Sequence, residues 1–405
     1  MLTQITITDI APDGRGIAFI KGKPIYIPYT IPGETLMAHV FENRGTGVTL
    51  LESSTDRVEP RCSHFGLGKC GGCQWQHLNL DAQIALKTDL VAMAFEQEGI
   101  ANPPLQFTLA SPQEWHYSNT ATFIPAEGGL GFMGQDGEGA IAIDECSVIH
   151  PAILQVINEL DLTIDTLTSL TVQVNEQGEA MLILQTSDDE PPELEITLPV
   201  SLNFLLSHHE PLNLIGHTHS VQRIHNRTFR ITAGVENRSN LGQVAQMVEV
   251  VLRYLDPQPS QRILDLYGGI GLFSAFVAPH VEHVTYVDSY PPAATDAEAN
   301  LADFDNIDIL EGRVELVLEA LDEPFDTIIV DPPARGMNHQ AILNLRRVKA
   351  STLVYISQNP TTLARDAKVL MDELGYRLVE VQPLDFAPHR VAVECVALFH
   401  KKKRK

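Results

Sequence analysis

The chain has 405 residues, 44% of them apolar and 20% charged, with a formal net charge of −24. That length predicts two or three domains, and the apolar share excludes global disorder. No apolar run reaches the roughly 18 to 20 residues of a membrane span, the first residues lack a secretion signal, and five irregularly spaced cysteines make no disulfide framework, so a reducing cytoplasm is expected.

The first stretch alternates apolar and polar residues in ITITDIA, GIAFIKG, KPIYIPY, TLMAHVFE and GVTLLESS. Turn signals separate them at Asp13-Gly14, at Gly22-Lys23-Pro24 and at Pro32-Gly33. Five short strands in this span predict a small barrel of OB type over 1–58. Residues 56–80 carry three cysteines and little periodicity, and Asp81 to Gln97 then has a helical period.

Residues 100–235 read as a second β-rich region, giving a central domain over 59–235. Its strand candidates are TATFIPA, GGLGFMG, AIAIDE, LTVQVNE, EAMLILQTS, LEITLPV and FRITAGV, with helices expected at HPAILQVINEL and in the 160s. From 236 to 400 the pattern changes. VAQMVEVVLRYL is an apolar-striped helix, and RILDLYGGIGLFSAFVA reads as strand, glycine turn and helix. HVTYVDSY, DTIIVDPPARG and STLVYISQNP follow as strands, which predicts βαβ units on a mostly parallel sheet. Residues 401–405, KKKRK, form a basic tail.

Charge is uneven along these parts. Residues 1–90 hold 8 basic and 9 acidic side chains, whereas 91–400 hold 15 and 43. Between Lys87 and Arg223 lie 135 residues with 20 acids and no Lys or Arg. Such a surface repels phosphate and makes no nucleic-acid groove, so any binding to nucleic acid must rely on the ends of the chain or on a few local contacts.

Three motifs carry chemistry. Cys62, Cys70 and Cys73 form C-x7-C-G-G-C, with Cys146 far downstream. Thiolates three residues apart across two glycines can converge on an iron–sulfur cluster or a zinc ion, and the alternative is a set of inert buried thiols. The second motif, Asp265 to Gly271, follows a strand and opens a helix, and Asp288 ends the next strand. That order favours S-adenosylmethionine over a dinucleotide or a purely structural turn. The third is Asp331-Pro332-Pro333 after the buried run TIIV, either a ligand contact or a rigid strand exit. Cys395, in VECVALF, reads as a core thiol.

Taken in order, these segments resemble the RNA uracil-5-methyltransferases, which make 5-methyluridine in tRNA or ribosomal RNA. GRGIAFIKGKPIYIPYTIPGE is similar to the family's TRAM-type barrel, and CSHFGLGKCGGCQWQHL and DECSVIHP to its iron–sulfur segments. NLGQVA, LDLYGGIGLFS, VDPPARG, SQNPTTLARD and PHRVAVECVAL are similar to its catalytic motifs. The resemblance implies an OB-like barrel, a central β-rich domain and a Rossmann-like methyltransferase domain, with RNA as partner and no membrane. It implies a [4Fe–4S] cluster on Cys62, Cys70, Cys73 and Cys146. It implies S-adenosylmethionine contacts at Gln243, Tyr267, Gly269, Gly271, Asp288 and Asp331, and Glu394 as proton acceptor.

The chain departs from the family at the nucleophile. Uracil C5 is activated there by a cysteine thiolate adding to C6, and that position reads Gln358 in Ser357-Gln358-Asn359-Pro360. A carboxamide is no nucleophile. Leu272 stands where the family usually has Asn, Arg313 replaces another polar contact, and Trp115 to Asn119 lacks a usual Arg. Two readings follow: a methyltransferase of the family, or a catalytically degenerate paralogue that binds RNA or another partner. A third, methylation of an exocyclic amine, is weakened because Ala334 supplies no aromatic residue after the Asp-Pro-Pro.

Overall fold

The structure is a computed structural model that describes residues 2–160, 164–194 and 196–401. The expected helix in the 160s falls partly on residues 161–163, and residues 402–405 of the basic tail likewise lie outside the described residues. No described helix is long and apolar enough to cross a membrane.

Alternation in the first fifty residues becomes a six-stranded sheet of Leu2–Thr6, Asp9–Ile10, Gly16–Ile20, Lys23–Ile27, Thr35–Phe41 and Arg44–Glu52. In space Leu2–Thr6 lies beside Thr35–Phe41, then come Arg44–Glu52, Lys23–Ile27, Gly16–Ile20 and Asp9–Ile10. Thr8 N donates to Ile17 O at 2.8 Å, which brings the end of the first strand onto the third and curls the sheet into the OB-like barrel. The inward positions, among them Ile5, Ile7, Ile25, Ile27 and Leu36, fill its core.

The helix Leu80–Gln97 starts where the period predicts, with the Asn79 side chain accepting from Ala82 N. It ties the amino-terminal half to the carboxy-terminal sheet. Val91, Ala94 and Phe95 enter that sheet's apolar core. Lys87, fully buried, pairs with buried Asp385 and donates to Ala387 O at 2.9 Å.

The central β-rich unit is a seven-stranded sheet ordered Pro211–Ile215, Val200–Leu205, Ala180–Thr186, Leu167–Val174, Thr120–Ala126, Gly129–Met133, Ala140–Ala142. The helix Pro151–Glu159 covers it, with Ile153 against Phe123, Leu170, Leu182 and Phe204. The strand expected at LEITLPV is displaced: the pairing strand is Val200–Leu205, parallel to Ala180–Thr186. Pro199 has no N–H to donate, and the fully buried Leu202 and Phe204 lie beyond it. A hairpin of His219–Ile224 and Arg227–Thr232 packs Phe229 and Ile231 against Val248 and Val251 in the carboxy-terminal core.

The last sheet is ordered Ile307–Glu311, His283–Asp288, Arg262–Leu266, Thr327–Val330, Thr352–Ser357, Glu394–Lys401, Tyr376–Leu384. The first five strands run parallel, and Glu394–Lys401 runs antiparallel to both of its neighbours. Separate apolar clusters cover its two faces, which explains why TIIV is buried at every position. Strand order reverses beside Arg262–Leu266, so the carboxyl ends of this strand and its neighbours frame the crevice where doubly wound sheets bind ligands.

Candidate active site

The loop after Arg262–Leu266 is shaped by backbone conformations that few residues tolerate. Gly268 approaches Tyr286 so closely that a Cβ would stand 2.3 Å from its ring. Gly271, at φ 79°, caps the helix Leu272–Val277. Tyr267 itself has φ 59°, a costly conformation for a side chain of its size. Asp288, at the end of the next strand, accepts from Gly269 N at 3.0 Å and from Tyr290 N at 2.8 Å, so it holds the loop. The Tyr286 hydroxyl donates to Gly269 O at 2.5 Å. Below them Asp265 is fully buried and accepts from the Ser274 hydroxyl at 2.6 Å, and burial pushes its carboxyl up to about 7.

Beside this loop opens a cleft of about 600 Å³ lined by Tyr267, Ser289, Arg313, Pro333 and Arg335 among others. Arg313 is ion-paired with Glu315 at its edge. Leu272 turns inward and joins the apolar core.

Beside the glycine loop, at the ends of the strands Thr327–Val330 and Glu394–Lys401, one cation organises the acids. Arg238 donates through both Nη atoms to the two oxygens of Asp331, each at 2.8 Å, and through Nε to Glu394 Oε2 at 2.7 Å. Its guanidinium also lies 5.8 Å from the Phe386 ring. The acids drive Arg238 still further above its ordinary range, while burial pushes the Glu394 carboxyl up against the pull of Arg238. The motif reading missed Arg238. Its signal was available: it stands two residues before Asn240, whose side chain caps the helix Leu241–Leu255 at Gln243 N, so it sits at a loop-to-helix junction.

Gln358 follows the pair Ser357–Cys395 in the antiparallel register, so it lies opposite Glu394 at the strand end. Its amide donates to Glu236 Oε1 at 3.2 Å. The segment 236–238 thus touches the Asp-Pro-Pro loop, the Gln358 loop and Glu394 together. Cys395 is fully buried in the apolar core beneath, and its thiol is pushed far up by burial. Gln243 stands apart from this group. It is buried, and its amide donates to Leu109 O at 3.0 Å.

The four cysteines Cys62, Cys70, Cys73 and Cys146 line one small cavity together with Arg390, and none is in a disulfide. Gly71 lets the chain through: a Cβ there would stand 2.9 Å from Gly134 O. Cys62 N donates to Gln76 Oε1 at 3.0 Å and Gly72 N to Cys70 Sγ at 3.3 Å. Among the described residues, no three His, Cys, Asp or Glu side chains are set to hold a single metal ion. Trp115 stacks on His389 at 3.8 Å, and Arg61 lies 5.2 Å over its ring, in the segment that lacks an Arg of its own.

A parallel sheet with a glycine loop, an acid on the next strand and an Asp-Pro-Pro strand exit defines a class I methyltransferase domain, here carried with a barrel and a central β-rich unit. Residues 228–352 match the family model described as the methyltransferase small domain. The chain is 31% identical to an uncharacterized RNA methyltransferase of Halalkalibacterium halodurans, over 99% of this chain and 97% of that protein. It is 30% identical to the 23S rRNA (uracil(1939)-C(5))-methyltransferase RlmD of Methylococcus capsulatus, over 98% and 96%. The same fold is seen in the Pyrococcus abyssi tRNA (uracil-54, C5)-methyltransferase solved with S-adenosyl-L-homocysteine, with a TM-score of 0.77, 24% identity, and 98% and 99% of the two chains covered. The chain belongs to the RNA uracil-C5-methyltransferase family.

Proposed function

We propose that this chain is an S-adenosylmethionine-dependent RNA methyltransferase of the uracil-C5 class, working in the cytoplasm on tRNA or ribosomal RNA. The observation that carries the reading is the convergence of Asp331, Glu394 and Gln358 around Arg238 and Glu236, at the strand ends beside the glycine loop. The cofactor, which supplies the methyl group, is held by Tyr267, Gly269, Gly271, Asp288 and Asp331, next to the cleft that Tyr267 lines. Glu394 is the proton acceptor for C5. Gln243 joins these contacts: its amide N–H donates to Leu109 O, while its buried Oε1 has no partner among the described residues.

The four cysteines are the ligands of a [4Fe–4S] cluster. A [4Fe–4S] cluster takes four thiolates, the number that lines this cavity, and binds one per iron. The nearby Arg390, with a sealed and unpaired Nε, suits an anionic occupant.

One side chain favours a second reading. Gln358 occupies the nucleophile's loop, and an amide cannot add to uracil C6. In that reading the protein binds RNA without methylating it. Mass-spectrometric mapping of modified nucleosides in host RNA, with and without this chain, separates the two. Loss of a 5-methyluridine on deletion supports the enzyme, and an unchanged profile supports binding alone.

A further inference from the structure

Among the described residues, Arg390 is a cation with no ion-paired carboxylate. Its Nε is sealed from solvent and meets no acceptor among the described residues. A buried guanidinium N–H left without an acceptor is costly, so a partner for Nε has to be sought in the cavity that Arg390 lines. Acidic groups close enough to act on it are Tyr117, Cys73, Cys146 and Cys70. The Tyr117 hydroxyl donates to Pro388 O at 3.0 Å and so keeps its proton. Glu145, also at this cavity, is turned to Ser63. The cysteine sulfurs remain.

The same stretch of chain is sewn to the cysteine segment. His389 O accepts from Gln74 N at 3.0 Å and from Trp75 N at 2.9 Å. Val391 N donates to Gln74 Oε1 at 3.3 Å. Gln74 directly follows Cys73, and three residues after Val391 the strand Glu394–Lys401 begins with Glu394. What fixes Cys73 therefore fixes the approach to Glu394.

We propose that Arg390 is the charge-compensating partner of an anionic metal–thiolate centre at Cys62, Cys70, Cys73 and Cys146, and that this centre positions Glu394 through the 389–391 segment. Arg390 is a positioning residue: it touches neither substrate nor cofactor. The inference rests on the proposed occupancy of the cysteine cavity. It gives that centre a task in the methyltransferase site without any redox step.

The test uses full-length protein, reconstituted anaerobically with iron and sulfide or, separately, with zinc. Bound metal per chain, absorbance near 400 nm, the midpoint potential of the iron form and amide exchange over 391–396 are measured for the wild type, Arg390→Met and Arg390→Lys. Circular dichroism checks that each variant is folded. Arg390→Met is expected to bind less metal and to shift any remaining cluster to a lower potential, because a cation favours the more negative reduced state. Arg390→Lys restores most of both. Metal removal from the wild type is expected to speed exchange over 391–396 at least tenfold. Unchanged metal content and potential in Arg390→Met overturn the charge pairing, and unchanged exchange on metal removal overturns the coupling to Glu394. A wild type that takes up neither iron nor zinc overturns the occupancy itself, an outcome distinct from the other two.

Discussion

Arg238 stands with its Nε 2.7 Å from Glu394 Oε2, which leaves the proposed proton acceptor in a buried ion pair that also includes Asp331. Two carboxylates this close repel each other, and burial alone drives Glu394 towards its neutral form. Arg238 opposes both effects and keeps a carboxylate available to accept a proton. Arg238→Met should cost about 3–5 kcal/mol, the usual loss on breaking a buried pair. The pH dependence has a definite sign. Without Arg238 the Glu394 carboxyl rises further above its unfolded value, so the folded state binds that proton more tightly. The variant is then least impaired in acid and loses stability as pH rises through the raised value. Urea unfolding at several values between pH 5 and pH 8 reads this directly. A deficit of equal size at every pH would contradict it.

Lys87 and Asp385 form a second buried pair, which ties the helix Leu80–Gln97 to the end of Tyr376–Leu384. Burial pushes the lysine down and the aspartate up, and each opposes the shift of the other. Lys87→Met leaves Asp385 buried with one oxygen already unpartnered, so a loss of about 3–5 kcal/mol is expected. Replacing both, as Lys87→Met with Asp385→Leu, should recover much of it. The comparison is a double-mutant cycle of unfolding free energies. Simple additivity of the two single losses would mean that the pair is not coupled.

The sequence reveals the carboxy-terminal fold well because its buried parallel strands are short apolar runs bounded by turn residues, as in TIIV before Asp331-Pro332-Pro333. The glycine loop and Asp288 are equally legible, since a backbone requirement leaves a residue signature: Gly268 has no room for a side chain. Long-range polar pairs leave none. Nothing near Lys87 in the sequence announces Asp385, and the loop-to-helix junction that marks Arg238 does not announce its partners Asp331 and Glu394. Gln243, expected as a cofactor contact, donates through its amide to Leu109, brought in by residues 105–109, a pairing that the sequence does not announce either, and its Oε1 has no partner among the described residues. The strand expected at LEITLPV misses for a local reason, the proline at its end.

Asp265 supplies a pH test of the glycine loop. Its carboxyl is pushed up to about 7 by burial, with Ser274 pulling it back. A folded value that high, against an ordinary one near 4, means stability is complete below the unfolded value and falls as pH rises towards 7. Three units correspond to about 4 kcal/mol as an order of magnitude. Asp265→Asn keeps the shape and an acceptor for the Ser274 hydroxyl but cannot ionise. It should therefore flatten the stability profile between pH 4 and pH 8 and gain on the wild type at the alkaline end. Parallel profiles for the two proteins would show that Asp265 stays charged in the fold.

Gln358 gives the sharpest test of chemistry. A C6-attacking thiolate traps 5-fluorouridine RNA as a covalent adduct, and an amide cannot, so the wild-type chain should yield no adduct on a denaturing gel. Its amide, now held by Glu236 at 3.2 Å, can still bond a uracil edge as donor or acceptor. Gln358→Cys places a thiol opposite Glu394, in a site whose other parts stand. That variant is expected to form the adduct with a short uridine-rich oligonucleotide at low salt. Long RNA is a different matter, because the 135 residues from 88 to 222 hold 20 acids and no Lys or Arg to meet phosphate. Adduct formation on long RNA should therefore be weak and fall further as salt rises. An adduct with unaltered Gln358 would overturn the assignment of this loop. Rapid capture of long RNA by Gln358→Cys at ordinary salt would show instead that the basic contacts outside 88–222 suffice to dock it.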